Sequence, residues 1–349
     1  MAIATTLEFG EARDALAHWG LRVVPEQVTP GSGTANASVI LDVPGGRLLL
    51  RRRNPRYARP DWVRFDHALF AHLRAHRLPA PEPVPDAAGE GWVQLGDACY
   101  ELLRYVEGEQ HAPGDARELA EAGRLLARVH RATADFAPPV EKPWPRFHDP
   151  ALGWQGLQAL VAQARSPDAD AAQVAVLERA LELAGALAER LPEGAYRALP
   201  EVVVHGDYHP ANLKFRQERV VGLFDWDWAS RQPRMVDLAD GLLFFCGLRA
   251  EPVRAGDIWS LTAAFRLDAG RARVFAGAYA RELMPTPEER CALADLMRCR
   301  WLYCRVDAAQ RKVEPERRVQ FMTRDLELPL RGIDALAPEI AGGRLFGRG

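Results

Sequence analysis

The segment Val202–Trp228, VVVHGDYHPANLKFRQERVVGLFDWDW, leaves the rest of the chain the fewest choices. Its three consecutive valines read as a buried strand that delivers His205-Gly206-Asp207 where the chain leaves the core. Pro210 stops a helix from starting there, so Asp207 and Asn212 fall on an irregular loop. The runs Leu213–Phe215 and Val220–Trp226 pair around a turn at Arg216–Arg219, and Asp225 arrives at the end of the second strand. Asn212 follows Asp207 by five residues, and Asp225 follows Asn212 by thirteen, about one hairpin. Those intervals can bring a carboxylate, an amide and a second carboxylate to one point. Such hard oxygen ligands suit Mg²⁺, which takes one or two of them alongside substrate phosphates.

Around this segment the chain divides by period. Leu21–Val28, Ser38–Val43 and Arg47–Leu50 read as strands separated by Pro30-Gly31-Ser32-Gly33 and Pro44-Gly45-Gly46. Asp61–His76 has helical spacing, with Trp62, Phe65, Leu69, Phe70 and Leu73 on one face, and Pro79–Pro85 ends it. Trp92–Leu95 and Cys99–Val106 read as two more strands. Beyond Gly108 helical patterns take over: Ala116–Ala134, Leu157–Ala164, Ala171–Leu191, Val253–Ala264, Ala272–Leu283 and Pro287–Arg311. The pattern predicts an α+β chain, with a small β-rich lobe over residues 1–106 and a larger helical lobe over 107–349 that carries the hairpin. A cleft between such lobes is the expected place for a site.

Composition removes several alternatives. Lys+Arg is 45 against Asp+Glu 47, which excludes a polycationic nucleic-acid coat. The longest uncharged apolar run, Gly241–Leu248, is far short of the roughly 20 residues that span a bilayer. Met1–Arg13 has no apolar h-region of a signal peptide. Five cysteines without a C-x-x-C pair point to reduced thiols, with neither a zinc site nor a disulfide framework. The expectation is a cytoplasmic protein with no membrane or nucleic-acid partner. Only Lys142, Lys214 and Lys312 are lysines, so a cationic task in the first 141 residues falls to arginine.

The loop His205-Gly206-Asp207-Tyr208-His209-Pro210-Ala211-Asn212 resembles the H-G-D-x-H-P-x-N loop of the aminoglycoside-phosphotransferase, choline-kinase and homoserine-kinase-like superfamily, which has a protein-kinase-like fold. Leu223-Phe224-Asp225-Trp226 resembles its metal-binding aspartate strand. The resemblance implies a two-lobed, ATP-dependent kinase with an alcohol acceptor. Asp207 would be the catalytic base, and Asn212 and Asp225 would hold Mg²⁺. His209 would touch the transferring phosphoryl or cap the loop, and Asp237 would brace the loop through backbone hydrogen bonds. His205 is expected to shape the loop, His130 to be a satisfied core histidine, and Asp227 to lie behind the metal or on the surface.

For ATP, the turn carrying Gly31, Gly33 and Asn36 would let backbone N–H groups approach phosphate oxygens. Leu102–Glu107 resembles the family's adenine-reading hinge, with Leu103 and Tyr105 as its contacts. Arg51 takes the position of the phosphate-binding lysine, and Arg52 and Arg53 are expected to be solvated. Asp66 falls within its helix's apolar stripe and needs a cation, for which Arg51 is the natural candidate. Phe275–Tyr279 and Met284–Arg290 resemble the C-terminal part of homoserine-kinase-like members, which implies a small hydroxylated amine or amino acid as acceptor. The alternatives are an aminoglycoside acceptor, a Ser/Thr protein kinase of the stress-response type, and an inactive nucleotide-binding module.

Overall fold

Alternation along residues 37–52 builds the first layer of the fold. Val39, Leu41, Leu48 and Leu50 point to one face, and the turn between them is closed by Gly45 and Gly46, both at positive φ. A computed structural model of the chain describes residues 6–31, 36–143, 148–165, 170–251, 253–254 and 257–347.

The chain opens with helix α1 (Phe9–Leu16) and strands β1 (Val28–Pro30), β2 (Ala37–Val43) and β3 (Gly46–Arg52). Helix α2 (Pro60–Ala75), β4 (Trp92–Leu95) and β5 (Ala98–Arg104) follow. Among the described residues these strands form one antiparallel sheet in the order β1-β2-β3-β5-β4. Ala12, Ala15 and Leu16 of α1 close a core over Val39, Leu41, Leu48, Leu50, Tyr100 and Leu102. Helix α2 starts with Pro60 in its first turn, where a missing N–H costs nothing, and buries Trp62, Phe65, Leu69, Phe70 and Leu73.

Helices α3 (Ala116–Ala132), α4 (Pro150–Ala164), α5 (Ala171–Arg190) and α6 (Glu193–Arg197) come next, and Asp115, Asp149 and Asp170 cap the first three with side-chain oxygens. Strand β6 (Glu201–Val204) leads to the hairpin β7 (Leu213–Arg216) and β8 (Arg219–Leu223). Strand β9 (Ser230–Pro233), which pairs with β6, precedes α7 (Met235–Phe245), and β10 (Gly247–Arg249) pairs with β11 (Phe265–Leu267). The chain ends with α8 (Ala269–Glu282), α9 (Pro287–Lys312), α10 (Arg318–Thr323) and α11 (Glu327–Ala341). A Thr286/Glu289 capping box fixes the start of α9.

Two compact units result: residues 1–110, 135–142 and 212–229, and residues 111–134, 143–211 and 230–349. The first unit thus extends past residue 106 and includes the hairpin. Glu109 and Phe215 exchange both backbone hydrogen bonds at 2.8 Å, and the Leu223 N–H donates to the Pro79 carbonyl at 2.8 Å. Two sequence expectations fail locally. Residues 25–27 form a 3₁₀ turn because Pro25 interrupts the expected strand Leu21–Val28. The described residues of Val253–Ala264 hold no α-helix, only the short 3₁₀ turn Ile258–Thr262, capped by Asp257. No described helix is long and apolar enough to cross a membrane.

In the second unit α3 passes α8 closely enough that a Cβ on Gly123 would stand 2.3 Å from the Phe275 carbonyl oxygen. Gly123→Ala should therefore destabilise by about 1–3 kcal/mol through overpacking. Gly185→Ala on α5, where a Cβ meets nothing within 4 Å, should be neutral or gain up to about 1 kcal/mol from helix propensity. Urea unfolding midpoints of both variants test this, and a wild-type midpoint for Gly123→Ala would contradict the packing.

Candidate active site

In the second unit, β6 ends in the loop that carries Asp207. The buried Asp237 of α7 clamps that loop, accepting the His205 N–H at 2.7 Å and the Gly206 N–H at 2.8 Å. Gly206 has φ +81°, so a glycine is what the turn requires. His130 holds Asp237 from behind: its Nε2 lies 3.1 Å from Asp237 Oδ2, and its Nδ1 lies 2.9 Å from the Tyr279 hydroxyl. Tyr208 donates its hydroxyl to the Ala122 carbonyl at 2.8 Å and fixes the loop to α3. His205 is fully buried, and its Nδ1 accepts the Asp207 N–H at 3.3 Å.

This scaffold leaves the Asp207 side chain 25% exposed, with His209 Nε2 at 3.3 Å from Oδ2. Arg300 of α9 donates to Asp207 Oδ1 at 3.0 Å and, through Nε, to the buried Asp240 at 2.7 Å. His148 stands behind Asp240 at 3.6 Å. Burial pushes the Asp207 carboxyl up, but His209, Arg300 and His205 outweigh it and hold the group well below the ordinary carboxylate range. Asp207 is therefore ionised and an acceptor at both oxygens. Phe244 lies beside this group, edge-on to His209 at 6.2 Å and under the Arg300 guanidinium at 5.7 Å.

In the first unit the hairpin register places Asn212 and Asp225 together. Leu213 pairs with Leu223, and the Phe224 N–H donates to the Asn212 carbonyl at 2.9 Å, so Asp225 stands beside Asn212 at the open end of the hairpin. Asp225 adopts φ 62°, ψ 61°, a left-handed conformation that a non-glycine residue holds only when its surroundings impose it. What imposes it lies just beyond: the Trp226 indole donates to the Leu223 carbonyl at 3.0 Å, and Asp227 turns into a buried cluster. The two residues would offer an amide oxygen and a carboxylate, a donor set that fits Mg²⁺.

That cluster corrects the expected Arg51–Asp66 pair. Residues 51 and 53 share one face of the strand's continuation, and both are drawn inward. The carboxylate facing Arg51 is Glu101, its cross-strand partner on β5, which accepts from Arg51 Nε at 2.8 Å and Nη2 at 2.6 Å. Asp66 instead pairs with Arg53 Nη2 at 2.6 Å and with Lys142. Arg53, expected to be solvated, has a side chain with no exposure, because it also bonds Glu101 at 3.1 Å and Asp227 at 2.9 Å. Asp227 is no surface residue; it is 1% exposed and accepts from Asn36 Nδ2 at 2.8 Å. Arg52, on the opposite face, bonds Glu11. Burial pushes Glu101 and Asp227 up, yet Arg51 and Arg53 hold both below the ordinary range. For Lys142 burial prevails over Asp66 and lowers its pKa.

The remaining candidates fall as follows. Asn36 braces the structure, its Oδ1 accepting the Asn54 N–H at 2.8 Å. Gly31 hands its N–H to the Ser38 carbonyl at 2.8 Å, and a Cβ there would stand 2.1 Å from Ser38 Oγ. Gly33 lies outside the described residues. Leu103 is 7% exposed on β5. Tyr105 is half-buried between Arg47, 4.4 Å above its ring, and Lys214, which donates to its hydroxyl at 3.2 Å. Sequence reasoning missed Glu101, Lys142 and Arg300. For Glu101 a signal existed, an acid in the middle of a strand flanked by Tyr100 and Leu102. Lys142 and Arg300 meet their carboxylates across 76 and 93 residues, and no local pattern marks them.

The model of the Phosphotransferase enzyme family matches residues 26–275. A homoserine kinase of Beijerinckia indica is 30% identical over 214 residues, covering 61% of this chain and 62% of that protein. The chain thus spans less than two thirds of that relative. A homoserine kinase of a Bradyrhizobium strain is 26% identical over 298 residues, covering 85% of this chain and 83% of that protein. Among solved structures, an amicoumacin kinase bound to AMP-PNP, Ca²⁺ and amicoumacin superposes with a TM-score of 0.66 at 16% identity, covering 93% of this chain and 94% of that one. A microcompartment-associated aminopropanol kinase superposes with a TM-score of 0.65 at 18% identity, covering 98% and 99%. These likenesses show the fold, the α+β architecture of protein-kinase-like phosphotransferases.

The buried cluster yields a contrast between adjacent arginines. Arg53→Met removes the buried cation that Asp66, Glu101 and Asp227 share and should cost about 3–5 kcal/mol. Arg52→Met loses a partly exposed pair with Glu11 and should cost less than about 1 kcal/mol. Unfolding free energies of the two variants check this; equal losses would contradict the assignment of faces.

Proposed function

We propose, from the premise that the chain belongs to the phosphotransferase enzyme family, that it transfers the γ-phosphoryl group of ATP to a hydroxyl of a small molecule, a hydroxylated amine or amino acid of the homoserine type. The observation that carries this reading is the hairpin register that sets Asn212 beside Asp225, thirteen residues apart, just after the clamped Asp207 loop. Those two residues would hold Mg²⁺, which when bound would offset the charge of the ATP phosphates. The residues around Tyr105 would receive the adenine. Arg51, whose side chain is 12% exposed within reach of Asp225's charge, would face the phosphates with its guanidinium held by Glu101.

Asp207 would orient the acceptor hydroxyl and receive its proton. Its depressed pKa makes it a weak base, which suits a loose transition state in which the hydroxyl proton leaves late. Positioning is therefore the larger part of its task. His209 and Arg300, one on each oxygen, fix the carboxylate's rotation. Asp237 keeps the backbone beneath it from relaxing.

Coupled ADP release with homoserine, choline, sugars and aminoglycosides tests the reading. Asp207→Asn should lower kcat by on the order of 10²-fold or more, with ATP affinity little changed. Near-wild-type turnover would remove Asp207 from the reaction. Asp225→Ala should abolish the Mg²⁺ dependence of nucleotide binding in a melting-temperature titration. If Mg²⁺ still tightens ATP binding as in wild type, the metal lies elsewhere.

A further inference from the structure

In the first unit, two histidines and an aspartate that the phosphotransferase reading leaves unused meet at the C-terminal end of α2. His72 and His76 are four residues apart, and the His76 N–H donates to the His72 carbonyl at 3.2 Å, so both rings share one helical face. The ring centroids lie 4.7 Å apart. Asp135 Oδ1 lies 3.8 Å from His72 Nε2. Taking one ligand atom from each of the three side chains, all fall within 4.8 Å of one another. The backbone beneath them is fixed. The Arg77 N–H donates to the Arg74 carbonyl at 2.8 Å and the Leu78 N–H to the Leu73 carbonyl at 3.0 Å. Arg77 has φ 58°, so α2 ends in a closed left-handed cap directly after His76. Asp135 is held by its neighbour Phe136, which is buried 6.1 Å from the Phe65 ring of α2 and 5.0 Å from the His72 ring. The three side chains remain accessible: His72 is 22% and Asp135 79% exposed, and His76 is exposed.

Two imidazoles and a carboxylate are the nitrogen and oxygen ligands that a borderline divalent transition metal takes, and histidines four apart on a helix are a recurring way to hold zinc. We infer that His72, His76 and Asp135 bind one divalent transition-metal ion of the zinc class, which fastens residues 135–142 to α2. Tetrahedral zinc bonds of about 2.0–2.1 Å put ligand atoms about 3.4 Å apart, so the exposed His76 and Asp135 side chains have about an ångström to close. A cation at this end of α2 also meets the negative end of the helix dipole. Solvent would complete the coordination shell. The stretches that the ion would join are already joined once: Asp66 of α2 bonds Lys142, at the other end of residues 135–142, inside the buried cluster. The ion would add a second link between them at the surface. Its site differs in chemistry from the oxygen ligands Asn212 and Asp225, since Mg²⁺ prefers oxygen to imidazole. It would take no part in phosphoryl transfer.

The test titrates the full chain with Zn²⁺ by calorimetry, without nucleotide, in wild type, His76→Gln and Asp135→Asn. The exposed His18 and Cys291 supply controls, His18→Gln and Cys291→Ser. Thermal melting without metal first confirms that each variant folds; both site substitutions are at exposed side chains and keep a similar shape. The tightest-bound Zn²⁺ should be one per chain in wild type. His76→Gln and Asp135→Asn should each weaken it by at least about 10-fold, the lower end of what even a partner supporting a metal ligand is worth. The two controls should match wild type. Bound Zn²⁺ should slow amide hydrogen exchange over residues 135–142 and the last turn of α2, and Mg²⁺ at the same concentration should not. A wild type that binds no Zn²⁺, an unchanged affinity in either site variant, or an equal loss in a control would overturn the site. Zn²⁺ binding that leaves exchange over residues 135–142 as it was would overturn the fastening.

Discussion

The first unit is organised by charges that are almost wholly buried. Arg51, Arg53 and Lys142 face Asp66, Glu101 and Asp227, and of these side chains Arg51 is the most exposed, at 12%. Taking such groups out of water costs several kcal/mol each, and the loss is recovered only while every partner stays in place. The cluster therefore contributes less to net stability than to geometry. It joins β3 to β5 through Arg51 and Glu101, brings α2 in through Asp66, ties down the chain at Lys142, and anchors Asp227. Anchoring Asp227 in turn maintains the left-handed turn at Asp225, which a free chain would relax. A buried ionic core and a strained carboxylate are thus two ends of one device.

The second unit reaches the same end with neutral and charged groups in series. Tyr279, His130 and Asp237 form a buried chain that ends on two backbone N–H groups of the Asp207 loop. Asp240 and Arg300 form a second chain that ends on the Asp207 carboxylate. The first fixes the backbone of the loop and the second fixes the side chain. Neither adds reactive chemistry, which suits a reaction catalysed by position and charge.

Much of this was legible in the sequence, in proportion to how local each signal is. The spacing from Asp207 to Asn212 and on to Asp225 identified the loop and hairpin, because one turn and one register determine both. The apolar stripe of α2 was equally plain, and it correctly marked Asp66 as needing a cation. The identity of that cation was not legible. Arg51 and Arg53 lie on the same face, and the choice between them depends on Glu101 opposite Arg51, a pairing set by strand order. Lys142, Arg300 and the anchoring of Asp227 depend on tertiary contacts alone. The expected helix over Val253–Ala264 failed because a window of apolar residues cannot reveal that Asp257 and Ser260 divert the chain into a short turn.

On this mechanism γ-phosphate leaves ATP for an alcohol oxygen of a small acceptor and not for water. Phosphorus NMR of the protein with Mg²⁺, ATP and L-homoserine measures this directly. A new phosphomonoester resonance should grow as the γ-phosphate resonance disappears, with little inorganic phosphate. Inorganic phosphate as the sole new signal, or no loss of the γ-phosphate with homoserine or any other small alcohol, would rule this transfer out.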